Sequence, residues 1–131
     1  MSSQAVRVLF KDKLGTFSTP YIDTINLPVG KPSKTLTEWI TAEFFADTRE
    51  RSTFCGNVAE SGTVEIEIYT TAGNGDTAGM QIAEDLTAFL SAWLPVGLTV
   101  QNIDAPQEID DGDAEGFFYG LNVVAHYSTN N

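Results

Sequence analysis

Cysteine is nearly missing from this chain. Only Cys55 among the 131 residues carries a thiol. No intrachain disulfide can form, a reducing compartment is the simpler setting, and Cys55 reads as a small buried apolar side chain. Long apolar runs are missing too. None reaches the ~18 residues of a membrane span, and the opening MSSQAVRVLFKDKLGTF has neither an uninterrupted apolar stretch nor a small-residue cleavage site. A soluble, unexported protein is expected. His126 is the only histidine, and no Cys/His spacing suits zinc.

Positive charge is absent from most of the sequence. Residues 1–51 hold all seven bases (Arg7, Lys11, Lys13, Lys31, Lys34, Arg49 and Arg51) together with six acids, whereas the remainder holds twelve acids and no Lys or Arg, for a net charge of -11. Gripping a nucleic-acid backbone takes clustered cations that displace counterions. Tight DNA or RNA binding is therefore not expected, and an acidic surface would let DNA pass nearby without holding it.

What is present suffices for one core. With 42% apolar and 11% aromatic residues, the chain escapes the hydrophobic poverty of disordered proteins, and its length suits a single domain over residues 1–131. Ser2 or Ser3 can cap a first helix whose Ala5, Val6, Leu9, Phe10 and Leu14 share one side, with Gly15 suited to a left-handed terminating position. Residues 16–37 contain Pro20, Pro28, Gly30 and Pro32, too many breakers for a helix. They read as an irregular surface excursion with one short strand at most, and its Tyr21, Ile22, Ile25 and Leu27 are candidates for partner contact, since long loops in small domains tend to be functional.

Alternation then takes over. Between Trp39 and Phe54, Ile40, Ala42, Phe44 and Ala46 fall on one face, which predicts a long strand bending near Asp47. Thr63–Tyr69 repeats the period with Val64, Ile66 and Ile68 inward, so the two form an antiparallel hairpin linked by Cys55–Gly62. Ile82, Leu86, Phe89, Leu90 and Trp93 make one helical stripe, predicting a long amphipathic helix over about 78–93 that Pro95 stops. Leu98–Ile103 and Phe117–Tyr127 are two final strands joined by the acidic loop DAPQEIDDGDAEG. The expected fold is α+β: a mostly antiparallel sheet of four or five strands, the long helix across one face and the short N-terminal helix nearby. Ile40, Phe44, Val64, Ile66, Ile68, Ile82, Leu86, Phe89 and Leu90 should lie in its core.

Three stretches invite a chemical reading. TTAGNGDTAGMQ (70–81) places Gly73, Gly75 and Gly79 between a strand and a helix, one residue longer than the dinucleotide fingerprint. It lacks the Lys of a phosphate loop, and Asp76 stands where an anion would approach, so Asp76 reads as the helix N-cap. Asp111, Asp113 and Glu115 followed by Gly116 have the spacing that begins a calcium loop, with Asn122 at its last ligand position. Glu at the fifth position is unusual, however, and a strand follows instead of an exiting helix, so a solvated acidic turn is the reading. His126 sits in a strand pattern at the parity of Phe118, Gly120, Asn122 and Val124, where a structural role is the default. No catalytic residue, cofactor or metal is expected.

The element order, with SGTVEIEIYTTAGNGDTAGMQIAEDLTAFL (61–90) and GFFYGLNVVAHY (116–127) carrying the similarity, resembles the small tail terminator, or tail-completion and minor-tail, proteins of long-tailed bacteriophages. Residues 16–37 lie outside the resemblance. It implies a non-enzymatic subunit of a ring, a hexamer in that family, that caps the tail tube protein, halts its polymerisation and offers a surface to the head–tail connector or neck. Such a subunit assembles in the host bacterial cytoplasm, resides in the virion tail, touches no membrane, and encloses a lumen through which DNA passes. A ring of identical chains needs two different complementary patches per subunit. The expectation is that Lys31, Lys34, Arg49 and Arg51 of one subunit face Asp110, Asp111, Asp113 and Glu115 of its neighbour. Another tail-tube or neck component on a related fold is the nearest alternative. A small-molecule-binding or carboxylate-based hydrolytic domain is the alternative of a different class.

Overall fold

A computed structural model of the chain describes residues 3–21, 38–51, 58–71, 75–108 and 118–129. In chain order these form α1 (Ser3–Leu14), β1 (Glu38–Arg51), β2 (Val58–Thr71), α2 (Gly75–Ser91), β3 (Leu98–Ile103), β4 (Gln107–Glu108) and β5 (Phe118–Thr129). The strands make one five-stranded sheet in the order β1-β2-β5-β3, with β4 also pairing β5, and every ladder is antiparallel. The fold is α+β, as the alternating and helical periods require. β3 therefore runs parallel to β2 with β5 between them. A phosphate-cradling βαβ unit places its two parallel strands in a sheet of such units; here the strand–helix–strand passage spans an intervening antiparallel strand.

Alternation is complete along β2, where residues 60–70 switch strictly between buried and half-buried. The inward set of the sheet is Ile40, Ala42, Val64, Ile66, Ile68, Leu121, Val123, Ala125 and Tyr127. Ile82, Ala83, Leu86 and Leu90 of α2 cover it, and Val6, Phe10 and Leu14 of α1 fill the remaining space. Phe10 is fully buried, with ring centroids 6.1 Å from Phe44, 5.1 Å from Trp93 and 5.8 Å from Tyr127. It joins the first helix to β1, β5 and the residues just after α2. Both helices lie on the same side of the sheet. All nine expected core residues pack there, Phe44 and Phe89 at its partly buried rim.

Four local expectations need correction. The helix begins at Gly75 and ends at Ser91, not over 78–93, so Asp76 lies in its first turn and does not precede it as a cap. The weak helix formers Gly75, Asp76 and Thr77 hid the start. At the other end Trp93 continues the apolar stripe, but its N–H turns to the Leu90 carbonyl at 3.2 Å, a tightened last turn. Gly15 donates to the Lys11 carbonyl at 2.9 Å and keeps a negative φ. Among the described residues the left-handed glycine is Gly97, at φ 83°, in the turn that leads the chain into β3.

The hairpin link is shorter than Cys55–Gly62, because β2 starts at Val58; Cys55 itself lies outside the described residues. AESG reads as a turn by composition, yet Gly62 sits inside the sheet beside a β-bulge between Ala46 and Thr48. This is the bend expected near Asp47. A bulge reverses the parity of the strand beyond it, and Arg49 consequently stands opposite Glu60. Finally, the acidic segment before residue 109 is not all loop: Gln107 and Glu108 form β4 opposite Asn122 and Leu121.

Candidate assembly surface

Because both helices occupy one side, the other side of the sheet is built from the opposite parity of the same strands. Its rows follow the register: Trp39, Tyr69 and Gly120; Thr41, Glu67 and Asn122; Glu43, Glu65 and Val124; Phe45, Thr63 and His126. At one end Trp39 stacks on Tyr69 at 5.2 Å between centroids and is itself buried. The Tyr69 hydroxyl donates to Glu67. Burial pushes the Tyr69 phenol above its ordinary range, and the bond to Glu67 and the charges of Glu67 and Glu43 push the same way.

Toward the other end the face opens. Glu43 is exposed and stands directly opposite half-buried Glu65, while Phe45 keeps 44% of its surface in solvent. Two like charges directly opposite each other cost a sheet a few tenths of a kcal/mol. Among the described residues neither glutamate has an ion-pair partner to offset this. The far edge carries His126 Nε2 at 3.0 Å from Asp104 Oδ2, with Asn102 donating to the other oxygen of Asp104. Thr63 stands beside His126 in the register but makes no hydrogen bond to it. A nucleophile and its base need that bond, so the Thr63, His126 and Asp104 row lacks the geometry of a catalytic triad.

The other side holds a small cleft at the bulge, lined by Val6, Arg7, Phe44, Ala46, Glu60 and Tyr127. It encloses about 30 Å³, room for about one water, far below the roughly 300–1,000 Å³ usual for ligand pockets. Its polar group is already engaged: Glu60 is 3% exposed, accepts the Tyr127 hydroxyl at 2.6 Å, and donates its backbone N–H to Thr129 Oγ1 at 2.8 Å. A buried carboxylate bonded in this way holds strands together. No group of metal-ligating side chains occurs among the described residues, and none of their helices is long and apolar enough to cross a membrane.

Of the residues expected at the subunit interface, Lys31, Lys34, Asp110, Asp111, Asp113 and Glu115 lie outside the described residues. Arg49 and Arg51 are placed by backbone register alone, opposite Glu60 and Val58. Ile22, Ile25 and Leu27 of the partner-contact set also lie outside the described residues. Tyr21 is half-buried against the core and forms a single parallel bridge to Ile40, whose N–H donates to the Pro20 carbonyl at 2.9 Å. Calcium-loop residues 111–116 are likewise outside, while Asn122 lies within β5. Sequence reasoning missed Leu94 and Val96, which flank Pro95 with 90% and 94% of their surfaces exposed. Two large apolar residues in a proline turn, where polar ones are usual, were the available signal.

No protein-family model and no curated protein matches the chain. Eight solved chains match it in structure. One of them, named only by a sequence designation, superposes over 100% of this chain and 97% of its own with a TM-score of 0.68 at 15% identity. At that identity the likeness shows the fold alone.

Proposed function

We propose that this chain is a non-enzymatic structural subunit of a long-tailed phage virion: a tail terminator that closes into a ring, caps the tail tube and joins it to the head connector. The observation that carries the reading is the one-sided fold. Two helices pack on one side of a five-stranded sheet, and on the other side the end that carries Glu43, Phe45 and Glu65 is a solvent-facing acidic surface in place of a cleft. Surfaces of this kind suit contact with another protein, whereas small-molecule sites are concave and enclosed. The strongly acidic balance of residues 52–131 suits a lumen that DNA crosses without adhering. In the ring, Lys31, Lys34, Arg49 and Arg51 face Asp110, Asp111, Asp113 and Glu115 of the next subunit, and charge steers this encounter more than it stabilises the contact.

The test is visual. Particles assembled without this chain should carry tails of uncontrolled length in electron micrographs. Tails of normal length and normal attachment to heads would remove the reading.

A further inference from the structure

We draw no further inference here: the strongest candidate, the exposed apolar turn between α2 and β3 in which Leu94 and Val96 flank Pro95, carries none because nothing in the structure shows what covers it.

Discussion

Phe10→Ala is expected to lower the unfolding free energy by about 4 kcal/mol, seen as a fall in the urea midpoint at unchanged slope. Phe10 is fully buried and meets Phe44, Trp93 and Tyr127 edge-on or tilted. Removing its ring therefore takes away transfer free energy and three aromatic contacts, and leaves a void where four elements converge. Arg7, on the neighbouring turn of the helix, lies 5.5 Å from the Phe44 ring centroid and would lose a fixed support. A loss below about 1.5 kcal/mol would mean that α1 is a loosely attached appendage.

Gly62→Ala should cost about 3 kcal/mol, although it adds a single methyl group. A Cβ at that position would lie 2.1 Å from the Phe45 carbonyl oxygen, 2.9 Å from the Tyr127 hydroxyl and 3.0 Å from the Ala46 Cα. Two of these atoms are backbone of the bulged strand, so relief requires the β1–β2 ladder to part and moves Tyr127 away from Glu60. Gly15→Ala is the control. Its Cβ would meet the Lys11 carbonyl at 3.3 Å in an exposed position, and a change within about 0.5 kcal/mol is expected. Thermal melts of the two variants separate a glycine demanded by close approach from one that merely ends a helix.

Gly62 also shows where the sequence stopped being legible. Periodicity gave β2 its inward Val64, Ile66 and Ile68, because one buried face imposes a period of two. The same rule failed five residues earlier, where AESG has turn composition. Glu60 enters the interior with Tyr127, sixty-seven positions away, donating a hydrogen bond to it, and no local pattern announces such a partner. The helix ends were misplaced for a related reason: the stripe from Ile82 to Trp93 reports which residues face the core, whereas the boundaries depend on where backbone bonds change type. Asp47 was readable as a bend, but its consequence, Arg49 opposite Glu60, needed the register. Among the site residues, the charge segregation between the first 51 residues and the rest was plain from the sequence. That α1 and the acids Glu43, Glu65 and Glu67 end up on opposite sides of one sheet was not, because it depends on which face the helices choose.

Native mass measurement of the purified chain, alone at high concentration and after capture on tail-tube ends, tests the central claim most directly. The account predicts a closed ring whose mass is an integral multiple of the 14.2 kDa subunit, six under the proposed tail-terminator reading, present on the tube ends and formed by association of the free chain. A species of one subunit under both conditions, with no retention on the tube, would contradict it.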